Sequence, residues 1–94
     1  MKTNKSSNSH VRFEASVNLF VDPAEKAHVI DALSKLENIE EIYEVKGEFD
    51  IVSIVSTSCL EEFRNLLQKK IMKITGVKST ITSVVLKTHR KHSF

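Results

Sequence analysis

The sequence predicts an α+β fold, a ferredoxin-like βαββαβ sandwich in which two helices cover one face of a four-stranded antiparallel sheet. Three observations predict it: segments that alternate apolar and polar residues or are dense in β-branched residues, two segments with apolar residues at helical spacing behind capping signals, and their order along the chain. A length of 94 residues allows one such unit and excludes two separately folding domains.

Each element has its own reason. Val11, Phe13, Ala15, Val17 and Leu19 alternate with Arg12, Glu14, Ser16 and Asn18, the period of two of a half-buried strand. Asp22-Pro23-Ala24-Glu25 then starts a helix, because Asp22 can cap, Pro23 loses nothing at the first helical position and Glu25 can reach back as a capping box. That helix is predicted over Pro23 to Glu37, with Ala27, Val29, Ile30, Leu33 and Leu36 inward. Ile39 to Lys46 and the β-forming run Phe49 to Val55 make a hairpin whose turn lies near Gly47.

Ser58-Cys59-Leu60-Glu61 is a second capping box, followed by Leu60, Phe63, Leu66, Leu67, Ile71 and Ile74 at helical spacing. The second helix is predicted to run to about Thr75, where Gly76 stops it. Val77 to Lys87, rich in Val, Ile and Thr, supplies the last strand. Right-handed crossovers place the first and third strands at the centre of the sheet.

Both faces of this sheet are expected to carry apolar groups. Phe49, Ile51 and Val55 point one way and Val52 and Ile54 the other, and in the last strand Val84 and Leu86 oppose Ile81 and Val85. Two helices bury only one face, so the pattern predicts a homodimer whose sheets pack face to face. A small sheet that tolerates a few exposed valines is the plainer reading.

Charge and composition narrow the function. The formal net charge is +2, with 40% hydrophobic and 28% charged residues, which is globular composition. Lys2 and Lys5, and Lys87, Arg90 and Lys91, carry five positive charges at the ends. Residues 11–86 hold nine bases against twelve acids, net −3, so direct DNA binding is not expected of the folded part. No apolar run spans a bilayer and no secretory segment follows Met1, which predicts a cytoplasmic chain free of membrane. Met1–His10 is predicted to be a disordered leader, residues 11–88 the folded domain and residues 89–94 a basic tail.

No catalytic residue, metal site or cofactor is predicted. The single cysteine, Cys59, sits at the start of the second helix with no base beside it in sequence. Four histidines at positions 10, 28, 89 and 92 make no zinc framework. Glu40, Glu41, Glu44 and Glu48 could act as paired carboxylates or hold magnesium, but read best as charges protecting an edge strand. With only Gly47 and Gly76 as glycines there is no phosphate loop and no nucleophile elbow.

Two groups beside loops remain. Gly47-Glu48-Phe49-Asp50 joins a tight turn to a carboxylate, and after Gly76 the hydroxyls of Thr80 and Thr82 share a face. Such groups could hold an α-ammonium and an α-carboxylate. Ordinary turn chemistry and threonines in a strand account for the same residues.

At these residues the chain resembles the ligand-binding half, or RAM domain, of the Lrp/AsnC family of transcriptional regulators. The likeness runs from about Val11 to Lys87. Val45-Lys46-Gly47-Glu48-Phe49-Asp50 is similar to the family's V-x-G-x-[YF]-D, and Gly76-Val77-Lys78-Ser79-Thr80-Ile81-Thr82 to its G-V-x-x-T-x-T. Family members usually carry an N-terminal helix-turn-helix domain, whereas ten polar residues precede the first strand here, so the likeness is to a stand-alone RAM protein.

The resemblance implies a non-enzymatic amino-acid effector-binding module in transcription regulation. It implies a homodimer assembling into higher rings such as octamers, an amino acid bound between dimers, and full-length Lrp/AsnC regulators as possible partners. Carried over residue by residue, it makes Gly47, Glu48, Asp50, Thr80 and Thr82 ligand-binding, with Asp50 toward the ammonium and the threonine hydroxyls toward the carboxylate. Phe49 stands where Tyr is common. The rival reading is a small cofactor-free enzyme of the dimeric α+β barrel type, which shares the topology; its inward polar side chains are not expected here, where the inward faces read as almost wholly aliphatic. An RRM-type nucleic-acid module, which stacks bases on strand aromatics, is not expected, because neither the first nor the third strand shows the K/R-G-[FY]-[GA]-[FY] type of pattern and residues 11–86 are net acidic.

Overall fold

A computed structural model of the chain describes residues 12–86 and 89. The expected leader, Val11 of the first strand, Lys87 and, apart from His89, the expected basic tail lie outside the described residues. The elements are β1 (Phe13–Val21), α1 (Lys26–Ser34), β2 (Ile39–Glu44), β3 (Ile51–Thr57), α2 (Leu60–Lys69) and β4 (Val77–Val84), with 3-10 turns at Pro23–Glu25 and Ile71–Lys73. The sheet order is β2-β3-β1-β4, every pair antiparallel, so the fold is the ferredoxin-like sandwich with its first and third strands central.

The core forms where the alternation of β1 meets the helices. Ala15, Val17 and Leu19 are fully buried and lie in register with Val55, Ser53 and Ile51 of β3. Val29 and Leu33 of α1 and Phe63 and Leu66 of α2 close over them, with Ile71 from the second 3-10 turn. Phe13 and Phe63 stack at 5.2 Å between ring centroids. Two fully buried inward positions are polar: the Ser53 hydroxyl donates to Val17 O at 3.0 Å and the Thr57 hydroxyl to Cys59 O at 2.9 Å. Each satisfies its donor on a backbone carbonyl, which makes burial tolerable.

The helices differ from expectation at their ends. Asp22 caps as expected, its Oδ1 accepting from Ala24 N at 3.0 Å. Its own N–H donates to Gly76 O at 2.8 Å, which leaves no donor for Glu25 to reach back to. The first turn is 3-10, with three residues per turn, so the phase of the apolar stripe shifts and Ala27 is exposed rather than inward. α1 stops at Ser34 rather than Glu37, the chain tightening through Lys35 N to Ala32 O and Leu36 N to Leu33 O.

At α2 the expected capping box does not form, and Cys59 makes no side-chain cap hydrogen bond. Cys59 is the N-cap, and Glu62 rather than Glu61 accepts from Ser58, at 2.6 Å from its N–H and 2.8 Å from its hydroxyl. These hydrogen bonds hold the Glu62 carboxyl below the ordinary carboxylate range. The regular helix ends at Lys69, short of Thr75, because Ile71 must drop into the core before the chain enters β4.

The face of the sheet away from the helices is apolar at its flanks and polar along its middle. Tyr43 is 48% exposed, Ile81 49% and Val85 42%, with Val52 and Ile54 half-buried between them. Along β1 the Ser16 hydroxyl donates to Asn18 Oδ1 at 3.0 Å. Phe49 departs from expectation: it precedes β3, and its ring lies 5.1 Å from Phe20 instead of sharing the core face with Ile51.

Candidate functional site

The residues singled out in sequence gather at one end of the sheet, where β1 and β2 finish and β3 and β4 begin. This follows from the register, in which Leu19 of β1 faces Ile51 on one side and Thr80 on the other. Gly47 lies in the β2–β3 turn at φ +144°, exposed and with no neighbour that a side chain would touch. Glu48 beside it is exposed.

Asp50 is built into the frame of that turn. Its Oδ2 accepts from Val21 N at 2.9 Å, its N–H donates to Leu19 O at 3.1 Å, and its carbonyl accepts from Val45 N at 3.2 Å. One half-buried residue therefore ties the β2–β3 turn to the end of β1. The Val21 amide points to the β3 side of β1, where the strand pairing ends at Leu19 and Ile51, so no ladder partner remains for it and the Asp50 carboxylate takes that place.

Thr80 and Thr82 face the helix layer, opposite Leu19 and Val17, and are half-buried. Gly76 precedes them at φ +104°. A Cβ placed there would overlap Glu25 Cβ and come within 3.2 Å of Val29 Cγ2. Gly76 is thus the point where the start of α1 and the entry to β4 touch backbone to side chain.

The two groups share an end of the sheet without converging. Ile51, next to Asp50, and Thr80 flank β1 on opposite sides, about 10 Å apart at two strand spacings. A groove of about 620 Å³ opens elsewhere, between α1 and the end of β2, lined by residues that include Lys26, Ile30, Asp31 and Glu44. It contains none of the five expected ligand residues, and the sequence reading missed it, since only the fold brings Glu44 within 3.9 Å of Lys26.

The remaining chemical candidates take ordinary places. Cys59 is the exposed N-cap of α2, and His28 and His89 are exposed. Tyr43 is held above its usual titration range by a hydrogen bond to Glu41 and by that carboxylate's charge. Among the described residues no group of three His, Cys, Asp or Glu side chains could hold a metal ion. Among them, too, no helix is long and apolar enough to cross a membrane.

The family described as "Lrp/AsnC ligand binding domain" matches residues 14–93. The HTH-type transcriptional regulator FL11 of Pyrococcus abyssi is 42% identical over 65 residues, covering 69% of this chain and 42% of the relative. The HTH-type transcriptional regulator Ptr1 of Methanocaldococcus jannaschii is 28% identical over 79 residues, 84% of this chain and 53% of the relative. The chain thus spans about half or less of the length of these curated relatives. Among solved structures, E. coli AsnC superposes with a TM-score of 0.83 at 18% identity, covering 100% of this chain and 65% of that one. A Neisseria meningitidis transcriptional regulator, NMB0573, solved as an L-Met complex, gives 0.80 at 17% identity, covering 97% of this chain and 62% of that one. At these identities the likeness establishes the fold.

Proposed function

The chain belongs to the Lrp/AsnC family, with the family's ligand binding domain over residues 14–93, and from that premise we propose that it is a non-enzymatic module that binds a free amino acid and assembles in response to it. The observation that carries the reading is this arrangement: Asp50 and the Thr80/Thr82 hydroxyls lie toward one end of the sheet, in segments on opposite sides of β1. The site lies between subunits. Asp50 of one subunit, with its Oδ1 toward the ammonium, then meets hydroxyls and the Gly76 loop of another around the carboxylate, with Gly47 and Glu48 lining the approach.

The open sheet face supports the first step of assembly. Tyr43, Ile81 and Val85 are among its wet apolar side chains, and covering the exposed half of each gains about half of the roughly 1.5–3 kcal/mol of a full burial. Packed face to face, two sheets form the dimer, and amino-acid sites arise where dimers meet in larger rings. An effector that binds only the assembled state raises assembly by as much as assembly raises its affinity. Co-assembly with a full-length Lrp/AsnC regulator passes that response to DNA. The NMB0573 complex with L-Met makes methionine the first ligand to try.

A thermal-shift panel of the twenty amino acids tests the reading. At 100 times its dissociation constant the right ligand adds about 2.7 kcal/mol, a rise in Tm on the order of 10 °C or more for a domain of this size. No shift with any amino acid would overturn the effector assignment.

A further inference from the structure

The charge of this chain is sorted along the sequence and sorted again by the fold. Residues 1–62 hold all 12 acids against six bases, net −6, and residues 63–94 hold eight bases and no acid, net +8. The overall +2 conceals this division. It becomes spatial because the two outer strands of the sheet, β2 and β4, come from different halves of the chain.

The β2 edge is acidic. Between Glu37 and Glu48 five glutamates stand against Lys46 alone, net −4, and all six of these side chains are exposed. The β4 edge is basic. Lys69 and Lys70 at the end of α2, Lys73 in the 3-10 turn and Lys78 in β4 give +4, all four exposed, against Asp22 and Glu25 beside the entry to β4 at Gly76. The edges lie three strand spacings apart, about 14 Å, so they cannot neutralise each other within one copy. Among the described residues none of these lysines is in an ion pair, and only Glu44 of the acids is, at 3.9 Å from Lys26.

The backbone is irregular at a charged residue on each edge. The pairing of β2 slips between Ile39 and Glu41, which leaves Glu40 as the extra residue. The pairing of β4 slips between the partners of Phe20 and Val21, which leaves Lys78 as the extra residue. A bulge in an edge strand turns its side chain out of the regular pleat and discourages indiscriminate strand pairing. Each edge thus resists pairing with its own kind, by like charge and by shape, while offering the opposite charge to the other.

We infer that the acidic β2 edge of one copy docks on the basic edge formed by the 3-10 turn and β4 of a second copy. The contact is heterologous, so it repeats head to tail and closes into a ring where the rotation permits. It uses the sheet edges, whereas the dimer proposed above uses the sheet face. The inference extends the assembly half of the proposed function and does not depend on the effector half.

Charge reversal on each edge tests it. One variant carries Lys69→Glu, Lys73→Glu and Lys78→Glu, and a second carries Glu37→Lys, Glu40→Lys and Glu44→Lys; circular dichroism checks that both fold. By light scattering, wild-type mass is expected to fall as salt rises from about 20 mM to about 500 mM, where the Debye length shortens from tens of ångströms to a few. Each variant alone should scatter below wild type at low salt, and an equimolar mixture should regain mass, since each supplies the edge the other has lost. Mass unmoved by salt, or a mixture no heavier than its components, would overturn the inference. A lysine variant that keeps full mass but loses retention of duplex DNA would also overturn it, by assigning the basic edge to nucleic acid. A loss of the sheet-face dimer reads differently: wild type then remains monomeric in high salt, while the mixed variants still associate in low salt.

Discussion

Gly76→Ala is expected to remove much of the domain's stability. A non-glycine residue at φ +104° carries backbone strain of about 1–3 kcal/mol, and crowding a packed site adds about 1–3 kcal/mol more. The overlap here is with Glu25 Cβ, close to the backbone at the start of α1, so no flexible side-chain end can swing away. The contact also carries the hydrogen bond from Asp22 N to Gly76 O at 2.8 Å, so moving the loop loosens the cap of the first helix. A loss of roughly 2–6 kcal/mol in urea unfolding is the expected result. Gly47→Ala is the internal comparison. Its φ is +144° but nothing lies within 4 Å of a built Cβ, so it should cost the strain alone, and equal losses at the two glycines would refute the close-contact account.

Asp50→Ala should be the most damaging change to ligand response. The substitution removes the acceptor of the Val21 amide at 2.9 Å, which for a half-buried bond costs about 1–2 kcal/mol. In the proposed site it also removes the counter-charge to the ammonium. Asp50→Asn separates the two roles, because an amide oxygen still accepts from Val21 N while the charge is gone. Asn is expected to unfold within a few tenths of a kcal/mol of wild type yet to lose the amino-acid-induced Tm shift, as Ala does. An Asn variant that keeps the full shift would leave Asp50 with a purely structural role.

Much of the fold was legible because its signals are local. The alternation of Val17 and Leu19 with Ser16 and Asn18 carries β1 into the core as expected, and Asp22-Pro23 marks the turn that leads into α1. What was not legible depended on distant partners. Asp22 N has its acceptor in Gly76, 54 positions on, so the reach-back of Glu25 could not be excluded from spacing. Glu61 and Glu62 are equivalent to a capping pattern until Cys59 rather than Ser58 takes the N-cap. Phe49 looked inward by alternation, but the strand begins two residues later and its ring pairs with Phe20.

The candidate site divides in the same way. Its residues were found as two short motifs, and the register brings both to one end of the sheet. That Asp50 already accepts from Val21 N could not be seen, because the point where the β1–β3 pairing stops has no signal in β1 itself. The segregation of charge was present in the sequence all along. Summing residues 11–86 to −3 averaged it away, and only the assignment of β2 and β4 to opposite edges made it visible.

The central claim is that the amino acid binds between subunits, so that binding and assembly are linked. Equilibrium dialysis of the amino acid giving the largest thermal shift, repeated over a roughly 100-fold range of protein concentration, tests it most directly. Apparent affinity should tighten as protein concentration rises through the association measured by light scattering, and then level off once assembly is complete. Saturable binding of unchanged affinity at every concentration, including where the protein is fully dissociated, would place the whole site within one subunit and contradict the account.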